Sequence, residues 1–155
     1  MQKEQYQASK EIWAYRKQGQ IAKALELTEQ AIESFPNEAY FNRILGDIAM
    51  SRGEYDVAGK AYVGFLTKIG ENLKHFESFE KFWNRYVVYA SDENCENVYR
   101  EIVTLANEDK FGDALKRRLA AVLFEYDKQQ CIVYQKVEQN PNKLSSGISE
   151  WEKVG

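Results

Sequence analysis

"YRKQGQIAKALELTEQAIESFP", Tyr15 to Pro36, sets small residues at uneven intervals inside two helix-like runs. Gly19 is followed by Ala24, Ala31 and a closing Pro36. Two antiparallel helices joined by a short turn approach closely only where the facing side chains are small, which explains Ala at those positions. Gly19 supplies the positive-φ residue that ends a helix before a turn. Pro36 cannot continue the helix that Phe35 ends.

The pattern recurs. A shift of 34 residues carries Gly19 to Gly53, Ala24 to Ala58, Tyr6 to Tyr40, Thr28 to Tyr62, Ala31 to Phe65, Ile32 to Leu66, and Glu11-Ile12 to Leu45-Gly46. Such self-similarity at a fixed period is the signature of a repeat architecture. Each copy reads as helix, glycine turn, helix, with Leu25, Ile32 and Leu45 at helical spacing filling the space between layers.

These residues resemble the tetratricopeptide repeat family over about residues 5–70. One copy carries Tyr15, Gly19, Ala24, Ala31 and Pro36, and the other carries Leu45, Gly46, Gly53, Ala58 and Tyr62. Ala8 and Asn42 stand where the family often has Trp, and Gly70 replaces the closing Pro. The resemblance implies an all-α, right-handed superhelix of antiparallel helix pairs, with repeats at about 5–38 and 39–72.

The second half is less regular. Phe76, Phe79, Trp83, Tyr86 and Ala90 follow helical spacing, "SDEN" offers Ser91 or Asp92 as a cap, and Val98, Ile102, Leu105 and Ala106 share a face. With an insertion of about seven residues, 73–111 reads as a degenerate third copy. "NEDKFGD" breaks the chain, and Asp113 can cap a last helix over about 113–138, on which Leu115, Leu119, Val122, Tyr126, Val133 and Val137 share a face. At 1.5 Å per residue it runs roughly 35 Å and covers the open apolar end of the stack. "CIVYQKV" has strand-like composition, so a stop after Tyr126 stays open. Residues 1–140 thus read as one helical-repeat domain, and 141–155 as a loose tail or the start of a following region.

Hydrophobic residues at 44% and charged residues at 29% suit a soluble globular chain, and the net charge of −3 argues against nucleic acid. No stretch approaches the roughly 18 apolar residues of a membrane span. The polar start "MQKEQYQASK" lacks the apolar core of a secretion signal, which points to the cytoplasm. Cys95 and Cys131 form no CxxC pair and read as reduced and half-buried, with a single disulfide as the alternative.

Catalytic signals are missing. His75 is alone, and no phosphate loop, G-x-S-x-G elbow or HExxH element appears, so neither an enzyme nor a cofactor is expected. Asp92-Glu93-Glu96 and Glu108-Asp109 lie near helix ends, where macrodipole complementarity and solubility account for them. Lys116 to Arg118, "KRR", reads as a solvated face.

In stacked helix pairs the first helix of each pair lines the concave side. Helical spacing places Tyr6, Ser9, Trp13, Arg16 and Lys17 there from the first copy, and Tyr40, Arg43, Asp47, Met50 and Ser51 from the second. Aromatic and arginine side chains are enriched at binding hot spots. The candidate peptide-binding residues are therefore Tyr6, Trp13, Arg16, Lys17, Tyr40, Arg43 and Asp47. The competing reading makes Trp13 and the tyrosines core. Some family members grip a chaperone-tail carboxylate with Lys and Asn; Ser9, Trp13 and Ile44 stand in those slots, and only Lys81 and Arg85 fit. The expected function is protein–protein binding, with an acidic peptide or helix as partner. An accessory domain of a larger enzyme and a self-associating homodimer are the alternatives.

Overall fold

The 34-residue glycine spacing becomes two matching helix ends. Gly19 and Gly53 take φ of 77° and 72°. At the first, the N–H groups of Gly19 and Gln20 donate to the carbonyls of Arg16 and Tyr15; at the second, those of Gly53 and Glu54 donate to Met50 and Ala49. Carbonyls left over by each helix are satisfied in the same way twice.

The structure is a computed structural model that describes residues 1–70 and 72–138, with side chains through Tyr126. Among the described residues there are seven α-helices and no strand: α1 (Lys3–Lys17), α2 (Ile21–Ser34), α3 (Ala39–Ser51), α4 (Tyr55–Ile69), α5 (Phe76–Tyr89), α6 (Asp92–Asn107) and α7 (Asp113–Glu138). A 3₁₀ turn, Leu73–His75, precedes α5. Neighbouring helices pack as α1 on α2, α3 on α4 and α5 on α6, with α2 meeting α3 and α4 meeting both α5 and α6. The chain is therefore all-α, with packing like that of tetratricopeptide repeats.

Small residues sit where the helices cross. Ala24 and Ala58 are fully buried. At Gly46 a Cβ would land on the ring of Tyr62. The equivalent positions in the first pair are Ile12 and Thr28, both buried. The two pairs thus fill one crossing with opposite choices: large on the first helix and small on the second, or the reverse. Tyr62 has no room to retreat, because its ring stacks on Phe82 at 4.0 Å and its hydroxyl donates to the Asp47 carboxylate. Gly46→Ala is therefore expected to cost about 1–3 kcal/mol by overpacking, measurable in urea or thermal unfolding. A cost near zero would mean that the α3–α4 crossing is looser than this geometry.

Two apolar clusters divide the molecule. Ile12, Ala24, Ala31, Phe41, Ile44 and Ile48 form the smaller one, and Ile12 is the only buried residue of α1. The larger runs from Ala49 to Leu123 and is dominated by aromatic rings. Phe76, Phe79, Trp83 and Tyr86 join it as their spacing predicts, while Phe82 turns toward Tyr62 of the preceding pair. Ser91 caps α6 by accepting from the Asn94 N–H at 3.1 Å.

The helix α7 continues through Glu138, past the open stop at Tyr126. Its first turn contains Asp113, which lies inside the helix and is not its cap. Arg118 lies over the Phe76 ring, and Tyr126 meets Trp83 edge-on at 5.5 Å, so α7 runs along α5 in the same direction. Leu115, Leu119 and Leu123 enter the larger cluster. The side chains of Cys131, Val133 and Val137, and the expected tail at 141–155, lie outside the described residues.

The expectation for "KRR" is corrected. Lys116 is buried and donates to Asp109 at 2.7 Å, whereas Arg117 and Arg118 are exposed, Arg118 lying over the Phe76 ring. Asp109 also departs from the macrodipole reading, since it follows the C-terminal end of α6, where that dipole disfavours an acid. It stands in the left-handed region at φ 62°, with the bond pattern of Gly19 and Gly53. The hydrogen bond from Lys116 holds its carboxyl below the usual range.

Cys95 is a free, buried thiol within 3.8 Å of the Tyr86 carbonyl. Burial, aided by Asp92, raises its pKa. Since the thiolate is the nucleophile, Cys95 in a Cys131→Ser background is expected to resist a thiol-reactive probe at pH 8 until the chain is unfolded. Rapid labelling of the native chain would contradict that burial.

Candidate functional site

The first helices α1, α3 and α5 line two adjoining recesses. Between α1 and α3, Ser9, Ile12, Trp13 and Arg16 face Tyr40, Arg43, Ile44 and Asp47 across about 250 Å³. Between α3 and α5, Arg43, Asp47 and Met50 face Ser78, Lys81, Phe82 and Arg85, with Tyr62 of α4 at the back. Arg43 and Asp47 belong to both, so the recesses form one continuous face.

Of the residues expected here, Trp13, Arg16, Tyr40, Arg43 and Asp47 are brought together. Tyr6 and Lys17 lie outside the recesses, and Tyr6 instead carries Lys10 over its ring. Met50 lines the second recess from a buried position, whereas Ser51 bonds back to the Ile48 carbonyl. Trp13 is 60% exposed, so it is no core residue. Tyr40 is half-buried, packing edge-on against Phe41 while its hydroxyl oxygen accepts from Ser9.

The electrostatics of this face oppose those of the whole chain. Arg16, Arg43, Lys81 and Arg85 line it against one carboxylate, Asp47, which is already bonded to Tyr62. Burial, and then the Asp47 charge, keep the Tyr62 phenol protonated far above its ordinary pKa. Arg16 lies over Trp13 and Arg43 over Tyr40, each 5.3 Å from the ring centroid, so two aromatic planes present their cations ready-oriented. Lys81 is paired with the exposed Glu77 at 3.2 Å. Arg16, Arg43 and Arg85 take part in none of the ion pairs between described residues.

The tetratricopeptide repeat family matches residues 9–64, from Ser9 in α1 to Gly64 in α4. That match and the pairing of the helices are consistent with tandem tetratricopeptide repeats over residues 9–64. The match takes in both glycine turns, the Gly46–Tyr62 crossing and the whole first recess. No curated protein and no solved structure matches the chain. Tetratricopeptide repeats generally mediate protein–protein interaction and are typically non-catalytic.

Residues beyond the match complete the second recess. Lys81 and Arg85 stand one helical turn apart on α5, a spacing visible in the sequence. Phe82 and Ser78 gave no separate signal, because Phe82 reads as one more aromatic in a core-forming run. Among the described residues, no group of three or more His, Cys, Asp or Glu is placed to hold a metal ion, and no helix is long and apolar enough to cross a membrane.

Proposed function

We propose that the face made by α1, α3 and α5 binds an acidic peptide or helical segment of a partner protein in the cytoplasm. The observation that carries this reading is a stripe of four cations, Arg16, Arg43, Lys81 and Arg85, on a chain of net charge −3. Charge reversed locally against the whole molecule selects and steers an anionic partner. The exposed Trp13 adds apolar area at one end of the stripe, which suits a hot spot. On this reading Trp13, Arg16, Tyr40, Arg43 and Asp47 contact the partner, and Tyr6 and Lys17 flank it.

The test is affinity capture from native lysate with wild-type protein and Arg43→Glu side by side. A protein retained by wild type and lost by the variant supports binding on this face. Equal capture by both places binding elsewhere and removes the reading.

A further inference from the structure

A third cavity, of about 460 Å³, adjoins the first recess at the N-terminal end of α3, again sharing Tyr40 and Arg43. Its other walls are Met1 before α1, Asn37, Glu38 and Ala39 before and at the start of α3, Phe65, Lys68 and Ile69 of α4, and Asn72 and His75 around the 3₁₀ turn. Two departures from repeat regularity adjoin it. The segment between α4 and α5 contributes Asn72 and His75 to its lining. Asn42, in a slot where the family often has Trp, holds Lys68 in place.

The Asn42–Lys68 unit decides what the cavity suits. Asn42 is buried, donates to the Ala61 carbonyl, and accepts from Lys68 Nζ at 2.6 Å. Lys68 is half-buried, and no carboxylate pairs with it among the described residues. Burial lowers its pKa, the mark of an ammonium whose lost hydration no anion replaces. Arg43 supplies a second cation from α3, and the N-terminus of that 13-residue helix opens on the same space. Glu38 is the one carboxylate in the lining, and it bonds to the Tyr40 N–H at 3.3 Å.

We propose that this cavity takes the phosphate monoester of a phosphorylated side chain on the peptide bound along the α1–α3–α5 face. Lys68 and Arg43 are its charge partners, and Asn72 and His75 are further hydrogen-bonding partners. A phosphate monoester dianion carries more charge to the two cations than a carboxylate and offers three acceptor oxygens instead of two. Since the inference rests on the peptide-binding reading of that face, its test uses Lys68 and Glu38, which line this cavity and neither recess.

The probe is N-acetyl-phosphoserine amide, with N-acetyl-glutamate amide and inorganic phosphate as comparators at matched ionic strength. Backbone amide signals are followed by two-dimensional NMR. The phosphoserine probe is expected to shift Tyr40, Lys68, Asn72 and His75 saturably. Lys68→Met should weaken it at least fivefold, Glu38→Gln should tighten it about twofold to fivefold, and Arg85→Glu should change it less than twofold. Glu38→Gln keeps the test decisive if Lys68→Met perturbs the fold through the orphaned Asn42. Equal affinity for the glutamate probe overturns the phosphate assignment. Shifts that are absent, or indifferent to both variants, leave an adventitious ion only and overturn the site. A partner captured equally by Arg43→Glu, with the titration succeeding, would remove the peptide reading while leaving an anion pocket.

Discussion

Trp83→Ala is expected to destabilise the protein by about 3–5 kcal/mol. The indole is 3% exposed and packs between α5 and α7. It stacks with Phe79 and Tyr86, at 6.4 and 6.2 Å between centroids, and Tyr126 of α7 meets it edge-on. Truncation removes the largest side chain of that cluster, and its neighbours are fixed by other bonds. Tyr86 donates to the Tyr55 carbonyl and Tyr126 to the Glu96 carboxylate, so the void stays open. Small domains hold roughly 5–15 kcal/mol in total, and for a chain of this size the loss corresponds to a midpoint drop of roughly 10 °C. Thermal unfolding followed by circular dichroism measures it. A loss under about 1 kcal/mol would show that α5 and α7 do not depend on this contact.

Arg43→Glu is the prediction with the largest effect on binding. Arg43 lines both recesses and the third cavity, so one reversal acts on the whole face. Removing a cation and adding an anion beside Asp47 and Glu38 turns attraction into repulsion. At an effective dielectric near 20, each contact at 4 Å is worth up to about 4 kcal/mol, and water and salt reduce that for a half-exposed group. A loss of roughly tenfold to hundredfold in affinity is expected, at about 1.4 kcal/mol per tenfold. It should shrink as salt is raised. The fold loses only the contact with Tyr40, about 0.5–1 kcal/mol, so the variant should remain helical. Anisotropy with the captured partner, at low and high salt, reads both the loss and its screening.

The pairs α1–α2 and α3–α4 were legible because their turns need positive φ, which singles out Gly19 and Gly53. Asp109 takes the same conformation without glycine, and its compensating partner lies seven residues on, so no local pattern announces it. Lys116 misled for a related reason: a basic triplet reads as exposed, whereas burial depends on which carboxylate the fold delivers. On the candidate face, spacing brought Trp13, Arg16, Tyr40, Arg43 and Asp47 together, because residues on one side of a helix stay there. The same spacing put Tyr6 and Lys17 on this face, and both sit outside the two recesses. Nor did it place Lys68, whose setting depends on an amide 26 residues away.

The slender anchorage of α1 gives this face unequal edges. With Ile12 as its single buried residue, α1 opens more cheaply in local fluctuations than α3. Trp13 and Arg16 ride on that edge, whereas Arg43 and Asp47 ride on α3, which buries seven residues. The face therefore behaves as a fixed jaw and a yielding one. A bound segment gains contacts from both, and some of that gain is spent in stilling α1.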